Sequence, residues 1–458
     1  MHRKGNTVKN HTDVLIFHRE ICAGASQISL MADANLIFAS PRRVNAPERG
    51  SMKQIKGGVT AAKGFQAASV AAGIKYKDRP DMAMIYSEAP CRVAGTFTKN
   101  IVKAAPVKWD QQVVYETKKA QAVVINAGIA NACTGEEGMG YCRVTAEKAG
   151  TLLDIPAEQV LVASTGVIGM QLPIDRICGG VEAMVPELAG NCESGHAAAK
   201  AIMTTDTHEK EVAVQFQIGG ASVTIGGMCK GSGMIHPNMC TMLSFVTTDA
   251  SISQELLCEA LRADVEETYN MISVDGDTST NDTCLLLANG AAGNPEITEK
   301  NEDYAVFCEA LRFVNETLAK QMAGDGEGAT ALFEVKIVGA ETKEQAKVLA
   351  KSVVTSSLTK AAIYGHDANW GRILCAMGYS GAEFDPERVD LFFQSAAGRI
   401  QIIRDGVATD YSEEDATRIL SEPEVTATAD IKMGEEQATA WGCDLTYDYV
   451  KINADYRS

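Results

Sequence analysis

Sequence patterns that mark metal and nucleotide sites are missing from this chain of 458 residues. It contains no Cys-x-x-Cys pair and no His-Glu-x-x-His pair, so the common zinc motifs are absent, and we predict no metal. It also lacks a Gly-x-x-x-x-Gly-Lys-Ser/Thr loop and a Gly-x-Ser-x-Gly elbow. The run 231–236 fails the dinucleotide fingerprint at its last position, where His236 stands in place of glycine. We predict no bound cofactor.

Basic residues are outnumbered and scattered. The chain has 42 Lys and Arg against 59 Asp and Glu, a net charge of −17, with no dense basic run. Because nucleic-acid binding depends on neutralising phosphates, this balance argues against nucleic acid, and likewise against an anionic membrane surface. The charge-free runs are too short to cross a bilayer. We predict neither nucleic acid nor a membrane among the partners.

The cysteines and the N-terminal region bear on location. Thirteen cysteines, an odd number at irregular spacing, favour free thiols in a reducing compartment over a disulfide framework. Residues 1–51 contain Asp13, Glu20 and Asp33 and lack a compact apolar core, so they fit neither a transit peptide nor a secretory signal well. We predict a cytoplasmic protein in which residues 1–51 are a disordered or non-native extension; an organellar leader is the alternative.

Apolar periodicity after Met52 alternates between strand and helix patterns. Strands are predicted at Ala122–Asn126, Val160–Ala163, Cys284–Leu287, Phe333–Val338, Val389–Phe393 and Ile400–Arg404, with a β-hairpin at Val212–Ile225. Helices are predicted at Gly140–Leu153, Pro173–Leu188, Gly195–Thr204, Ser253–Met271, Tyr304–Met322 and Lys343–Tyr364. This mixed order, without a strict strand–helix–strand rhythm, predicts a mixed α/β fold of packed sheets covered by helices.

One threonine near the middle of the chain stands out. The segment KGSGMIHPNMCTML, from Lys230 to Leu243, places Thr241 just after a bend rich in Gly and Pro. A threonine hydroxyl is a poor nucleophile unless a base lies beside it, and the α-amine of a chain-terminal threonine is such a base. Thr241 gains that amine only if the bond after Cys240 breaks. The alternative is a buried strand or helix start in which the Thr241 hydroxyl bonds to the backbone.

Five stretches together identify a family. The segment around Thr241 resembles the processing site of the glutamate N-acetyltransferase family, also called ornithine acetyltransferase, of arginine biosynthesis. Four others resemble that family in the same order: VINAGIANACTG (124–135), STGVIG (164–169), SVDGDTSTNDT (273–283) and DANWGRIL (367–374). The match runs from about Met52 to the last residue. It implies a layered fold like that of self-cleaving aminopeptidases and ornithine acetyltransferases.

The resemblance also implies a reaction. Members transfer acetyl from N2-acetyl-L-ornithine to L-glutamate through an acetyl-threonine, which here would form on Thr241. Self-cleavage between Cys240 and Thr241 would leave residues 52–240 as an α chain and 241–458 as a β chain, paired as an α2β2 heterotetramer. The family contains members with and without acetyl-CoA as a second donor, so that substrate stays open.

Site residues follow from the same resemblance. Thr165 and Gly166 are implied as oxyanion-hole donors. Substrate binding is implied for Thr204, Lys230, Thr241, Glu327, Asn453 and Ser458. Lys230 suits the substrate carboxylate, Glu327 the distal ammonium of ornithine, and Thr204 the ligand amide. Cys240 replaces the alanine of most members. His236 is a candidate base, but we interpret it as a loop residue because the family commonly has Ala or His there.

Two other readings of the chain stay open. A self-processing aminopeptidase or amidase would also expose a new Ser or Thr, and would differ in its substrates. A non-catalytic amino-acid-binding protein on the same fold would leave the chain uncut and Thr241 unreactive. The state of the bond between Cys240 and Thr241 separates this last reading from the enzymes.

Overall fold

The strands of the computed structural model, which describes residues 52–236 and 242–455, form two sheets. The predicted site residues Cys240, Thr241 and Ser458 and the extension 1–51 lie outside these residues. In chain order the strands are β1 Lys53–Ile55, β2 Phe65–Val70, β3 Met82–Phe97, β4 Lys119–Ile129, β5 Val160–Val167, β6 Lys210–Ile218, β7 Ala221–Lys230, β8 Leu243–Thr248, β9 Ile272–Ser273, β10 Thr283–Ala288, β11 Leu332–Ala340, β12 Asp390–Ser395, β13 Gly398–Arg404, β14 Val407–Ala408, β15 Glu424–Asp430 and β16 Glu436–Cys443.

The helices of the described residues surround and join these sheets. They are α1 Ala105–Gln112, α2 Gly135–Leu153, α3 Ile174–Met184, α4 Cys192–Ala201, α5 Gln254–Val265, α6 Glu302–Gly324, α7 Lys343–Thr355, α8 Ser357–Tyr364, α9 Trp370–Gly378, α10 Glu413–Leu420 and α11 Tyr447–Ala454. The long helix α6 packs against β6 and β7 of one sheet and against β11 and β16 of the other. The predicted class, sheets covered by helices in a mixed α/β fold, is confirmed.

The first sheet has nine strands in the order β1-β6-β7-β8-β10-β3-β4-β5, with β2 paired to β3. The second has seven, in the order β14-β13-β12-β15-β11-β16-β9. Both mix parallel and antiparallel pairs: β8 runs parallel to β10, whereas β7 runs antiparallel to β8. A regular strand–helix–strand repeat would give a parallel sheet and not this mixed order. The irregular succession of strand and helix patterns in the sequence agrees with the observed sheets.

Apolar side chains cover both faces of the first sheet. In β10, Cys284 and Leu286 belong to the core that contains α5 and α6 residues, whereas Leu285 and Leu287 belong to a separate core that contains α4 residues. Successive side chains of a strand point to opposite faces, so a strand buried on both sides needs an unbroken apolar run. The sequence Cys-Leu-Leu-Leu of β10 meets that need.

The predicted β-hairpin is confirmed as β6 and β7. Ile218 pairs with Ala221, so Gly219 and Gly220 form the turn, with φ values of +56° and +82°. Positive φ is accessible to glycine at little cost, which explains the pair of glycines here. The hairpin matters for function because β7 ends at Lys230, a predicted site residue.

Two helix predictions are wrong in extent. The chain from Lys343 to Tyr364 forms two helices, because Ser356 adopts an extended conformation (φ −70°, ψ 110°) and its side chain accepts the Thr359 N–H to cap α8. The helix predicted at Ser253–Met271 ends at Val265, and a separate short turn follows at Tyr269–Met271. Apolar spacing continues across both breaks, so periodicity alone hides them.

The two predicted chains, 52–240 and 241–458, contribute to the same sheet. Strands β8 and β10, from the second segment, lie between β7 and β3, which belong to the first. Met228 pairs with Phe245 on one side, and Leu285 with Gly95 on the other. The boundary at 240 therefore does not separate two folding units within the first sheet.

Candidate active site

A cavity of about 250 Å³ brings together distant parts of the chain. Its walls include the six predicted site residues that the structure describes: Thr165, Gly166, Thr204, Lys230, Glu327 and Asn453. Ile235 and Met242, which flank the segment 237–241, also line it. The bond predicted to break thus lies, in sequence, between two residues, Ile235 and Met242, that line this cavity.

Gly166 lies where strands β4 and β5 come close. Its φ is +127°, and a side-chain Cβ there would lie 2.2 Å from the carbonyl carbon of Gly128. Only glycine satisfies both constraints without displacing β4. Beside it, the hydroxyl of Thr165 accepts a hydrogen bond from the Lys230 ammonium at 3.3 Å. A Thr hydroxyl and a glycine amide therefore lie next to each other at the cavity wall.

Lys230, at the end of β7, is a buried cation within this wall. Its ammonium donates to the Thr204 hydroxyl at 2.8 Å and lies 3.9 Å from the carboxylate of Asp206. Burial lowers the pKa of Lys230, while the carboxylates of Asp206, Glu327 and Asp282 act in the opposite direction. Lys230 and Thr204 are thereby held together, as expected for residues that bind one ligand.

Glu327 and Asn453 form another polar part of the wall. The Asn453 side-chain amide donates to Glu327 Oε2 at 2.7 Å, and this bond attaches α11 to the turn after α6. Glu327 packs against Gly233, where a Cβ would lie 2.3 Å from the Glu327 carboxyl carbon. The glycine allows the buried carboxylate to lie against the segment that leads to residue 237.

Asn281 fixes the wall opposite β7. Its side-chain amide donates to the backbone carbonyls of Ala130, at 2.5 Å, and Ser164, at 2.8 Å. The Thr280 hydroxyl donates to Asn281 Oδ1 at 2.6 Å. These bonds attach the segment before β10 to β5, one residue away from Thr165. The motif SVDGDTSTNDT therefore contributes to the same site as STGVIG.

His236 is the last described residue before the gap at 237–241. Its Nδ1 lies 3.1 Å from the Ser273 hydroxyl, and its carbonyl accepts from the Thr278 hydroxyl at 2.8 Å. Burial, with the nearby Lys351 ammonium, lowers the pKa of His236 to about 4. The imidazole is neutral near pH 7 and bonded to Ser273, which suits the interpretation as a loop residue.

Sequence reasoning missed Asp206, Lys210 and Asp325. Asp206 accepts the Gly231 N–H at 2.7 Å and the Lys210 ammonium at 2.8 Å. Asp325 accepts the Lys210 ammonium at 2.5 Å. Asp206 and Asp325 stand beside predicted residues, in MTTD (203–206) and DGEG (325–328), but a lone Asp is by default a surface charge. Their partnership is visible only when the chain is folded.

Two further observations on the described residues concern metal ions and membranes. Within 52–236 and 242–455, no group of three or more His, Cys, Asp or Glu side chains is placed to hold a metal ion. In the same two ranges, no helix has the length and apolar character needed to span a membrane. The predicted absence of metal, cofactor, nucleic-acid and membrane partners stays a prediction.

The model of the ArgJ family matches residues 66–458. The chain belongs to the ArgJ family. The expected family is thereby confirmed, and so is the expected class of enzyme, an acyltransferase of arginine biosynthesis. The matched range includes every residue assigned to the site from the sequence motifs.

The curated relatives of this ArgJ-family chain are similar over nearly their whole length. The arginine biosynthesis bifunctional protein ArgJ of Symbiobacterium thermophilum is 53% identical over 409 residues, covering 89% of this chain and 100% of the relative. The protein of that name from Thermotoga neapolitana is 50% identical over 397 residues, covering 86% and 99%. A crystal structure of the ArgJ protein of Bacillus halodurans has 48% identity and a TM-score of 0.44, and the match covers 46% of this chain and 97% of that one.

Proposed function

We propose that this protein is a glutamate N-acetyltransferase that moves acetyl from N2-acetyl-L-ornithine to L-glutamate through an ester on Thr241, after cleaving itself between Cys240 and Thr241. The observation that carries the proposal is the single cavity lined by Thr165, Gly166, Lys230 and Glu327 and bordered by Ile235 and Met242. Oxyanion donors, a cation and a carboxylate thus line a cavity that Ile235 and Met242, which precede and follow Thr241 in sequence, also line.

Self-cleavage would begin with the Thr241 hydroxyl. Its oxygen attacks the carbonyl carbon of Cys240, the bond from that carbon to the Thr241 nitrogen breaks, and the nitrogen leaves as an amine after taking up a proton. The product is an ester between the Cys240 carbonyl and the Thr241 oxygen. Water then hydrolyses this ester, which releases a Cys240 carboxylate and a free Thr241 hydroxyl beside its new α-amine.

Acetyl transfer would repeat this chemistry on an external amide. The Thr241 amine takes the proton of its hydroxyl, the oxygen attacks the acetyl carbon of N-acetylornithine, and ornithine leaves with the proton on its α-amine. The glutamate amine then attacks the acetyl ester, and N-acetylglutamate leaves while Thr241 regains its proton. Each tetrahedral oxyanion would accept hydrogen bonds from the Thr165 hydroxyl and the Gly166 N–H.

Substrate recognition would divide between two charged groups. Lys230 is suited to the α-carboxylate that both substrates carry, because it lines the cavity and its side chain is 10% exposed. Glu327 is suited to the distal ammonium of ornithine, with Asn453 orienting its carboxylate. Thr204 would bind the ligand amide, and Ser458 would complete the site from the C-terminal end. A cavity lined by groups of opposite charge favours a zwitterionic amino-acid ligand.

We also propose that acetyl-CoA is a second donor, because the similar relatives are named bifunctional proteins. The same acetyl-Thr241 ester would then form from the thioester, with CoA as the leaving thiol. Purified protein should make N-acetylglutamate from acetyl-CoA and glutamate without ornithine. Absence of that product, with transfer from N-acetylornithine intact, would limit the enzyme to one donor. A cytoplasmic α2β2 heterotetramer remains part of the proposal.

Thr241→Ala tests the central step. Without the hydroxyl the chain should stay uncut, giving one band on a denaturing gel and no acetyl transfer, while the wild type gives two fragments, one of which begins at Thr241. Thr241→Ser is the matched control, because it keeps a hydroxyl and can form the same amine; it should cleave and transfer at a reduced rate.

Three results would contradict the proposal. Transfer from N-acetylornithine by the Thr241→Ala variant would exclude Thr241 as the nucleophile. An uncut wild-type chain without transfer would favour the amino-acid-binding alternative. A cut wild-type chain that hydrolyses amino-acid amides but does not acetylate glutamate would favour the aminopeptidase alternative.

A further inference from the structure

A buried chain of alternating charges lies behind the substrate-binding wall. Asp206 is at its centre, with a side chain 0% exposed. Its Oδ1 accepts from the Gly231 N–H at 2.7 Å and from the Lys210 ammonium at 2.8 Å, and its Oδ2 accepts from the Thr204 N–H at 3.0 Å. The Lys230 ammonium lies 3.9 Å from the same Oδ2. Three hydrogen-bond donors and a second ammonium group therefore converge on one carboxylate.

Lys210 and Asp325 continue the chain away from the cavity. The Lys210 side chain is 0% exposed, and its ammonium donates to Asp206, to Asp325 at 2.5 Å and to the His208 carbonyl at 3.3 Å. These three bonds use all three N–H groups of an ammonium. Asp325 in turn accepts the Thr207 N–H at 3.1 Å. Lys210 is therefore occupied inside the protein and cannot bind a ligand.

This chain connects three segments that each carry a proposed substrate residue. The loop 204–207 carries Thr204, the strand end 230–232 carries Lys230, and the turn 325–327 carries Glu327. Glu327 is attached to the second of these segments by its own N–H, which donates to the Ser232 carbonyl at 2.8 Å. Since the segments are distant in sequence, these bonds, together with the Lys230–Thr204 hydrogen bond, help to fix the three ligand groups relative to one another.

We infer that Asp206 is a positioning residue for substrate binding: it holds Lys230 and Thr204 in place and supplies the negative charge that keeps the Lys230 ammonium available for the substrate carboxylate. Lys210 and Asp325 would hold Asp206 in turn. This inference rests on the proposed function, because it assigns Asp206 a part in binding the carboxylate shared by N-acetylornithine and glutamate.

The charges around the two groups support this role. Burial alone would raise the pKa of Asp206, but the ammonium groups of Lys230 and Lys210 hold it well below its usual range, so the carboxylate stays ionised. Around Lys230, burial and the Lys210 ammonium lower the pKa, and the carboxylates of Asp206, Glu327 and Asp282 raise it. The loss of Asp206 would therefore lower the pKa of Lys230 further.

Asp206→Asn is the first variant to test, because it keeps the shape and removes the charge. Measured by initial rates of acetyl transfer, the KM for N-acetylornithine and for glutamate should each rise about tenfold or more, with a smaller change in kcat. The KM should also begin to rise with pH at a lower pH than in the wild type, because the Lys230 ammonium loses its proton earlier. A purely structural role would not move this pH profile.

The double variant, Asp206→Asn with Lys210→Met, distinguishes two possible roles of Asp206: neutralising Lys210 and holding Lys230 in place. The single variant leaves Lys210 without one of its carboxylates, which is costly in the interior and can impair folding; the double variant removes one charge of each sign. If Asp206 only neutralises Lys210, the double variant should recover the wild-type KM. If Asp206 holds Lys230, the KM and its pH dependence should stay shifted even though folding, measured by urea unfolding, recovers.

Asp264→Asn is the matched control. Asp264 is a carboxylate with a side chain 6% exposed that bonds to Arg312 and Asn315 and does not line the cavity. Its replacement should change stability and leave both KM values as in the wild type. Wild-type KM values and pH dependence in a folded Asp206→Asn or double variant would overturn the inference. A wild type without any transfer activity would instead overturn the proposed function, so the two failures are distinguishable.

Discussion

Thr165 and Gly166 are neighbours in the cavity wall, and each is constrained by a specific contact in the folded chain. At Gly166 the positive φ and the contact with Gly128 admit no side chain, and this residue lines the cavity. Thr165 turns its hydroxyl toward Lys230, a group that lies 65 residues away in sequence. The motif STGVIG predicts the residue types, but the contact between Thr165 and Lys230 exists only in the folded chain.

Thr165→Val tests the oxyanion role at this scale. Valine keeps the shape of the side chain and removes the donor, so kcat for acetyl transfer should fall roughly 10²–10³-fold, as for other oxyanion donors. Thr165→Ser, which keeps the hydroxyl, should retain most of the activity. Steady-state rates with N-acetylornithine and glutamate check both variants. Equal kcat values for Thr165→Val and the wild type would remove Thr165 from the oxyanion hole.

The strand that carries this pair, β5, is the last in the order of the first sheet, and helix α1 supplies the bonds that a further strand would make. Asp110 Oδ1 accepts the Val162 N–H at 2.8 Å, and the Trp109 indole donates to the Val160 carbonyl at 2.9 Å. Covering an edge in this way prevents pairing with another chain. Because Asp110 is fully buried, burial raises its pKa and favours the neutral carboxyl.

Asp110 gives a stability prediction with a pH dependence. Asp110→Ala leaves the Val162 N–H without its partner and should lower the free energy of unfolding by about 1–3 kcal/mol. Asp110→Asn, which resembles the neutral acid and can accept the same bond, should cost less. The native carboxyl holds its proton above the unfolded pKa of about 3.9, so its contribution to stability is present at low pH and decreases as the pH rises.

The comparison of these variants with the wild type needs urea unfolding at several pH values. The free energy of unfolding of Asp110→Asn should rise relative to that of the wild type as the pH increases from about 4 toward 8. A difference that is independent of pH over this range would mean that Asp110 is ionised in the native state. Glu182→Asn, on the exposed face of α3, is a control that should leave the pH dependence nearly unchanged.

At the scale of the whole molecule, the proposed cleavage would put neighbouring strands of one sheet into different fragments. We expect the two fragments to stay packed together. Strands β8 and β10 lie between β7 and β3, so the two proposed fragments are hydrogen-bonded to each other at two strand pairs, β7–β8 and β10–β3. Side chains of both fragments, such as Met228 and Leu243, share one core. Neither fragment can bury these surfaces alone, so the cut backbone should remain a single particle.

Gel filtration under native conditions tests this prediction. Wild-type protein should elute as one species containing both fragments, at the volume of the uncut Thr241→Ala variant, although a denaturing gel resolves two bands. Each fragment produced alone should be poorly folded, and refolding from urea should succeed only with both present. Separation of the wild-type fragments without denaturant would contradict the shared sheet.

Much of the fold and part of the site follow from local sequence. The hairpin at Gly219-Gly220, the buried run of β10 and the helix at Tyr304–Met322 are recognisable because turn residues and apolar spacing act over a few residues. The break at Ser356 and the full length of strand β3 cannot be recognised from local sequence. The break depends on the backbone conformation of a single residue. In β3 the polar stretch at Ser87 and Glu88 interrupts the apolar pattern, where pairing with β4 shifts register.

The amino-acid sequence determined the family and the mixed α/β class, and it predicted Thr165, Lys230 and Glu327 as site residues, because these inferences rest on motifs that occupy consecutive positions. Only the tertiary structure decided that these groups line one cavity, and that Asp206, Lys210 and Asp325 support them. The physical reason is that a buried charge is stable only beside its partners, and those partners come from segments that meet only when the sheet is assembled.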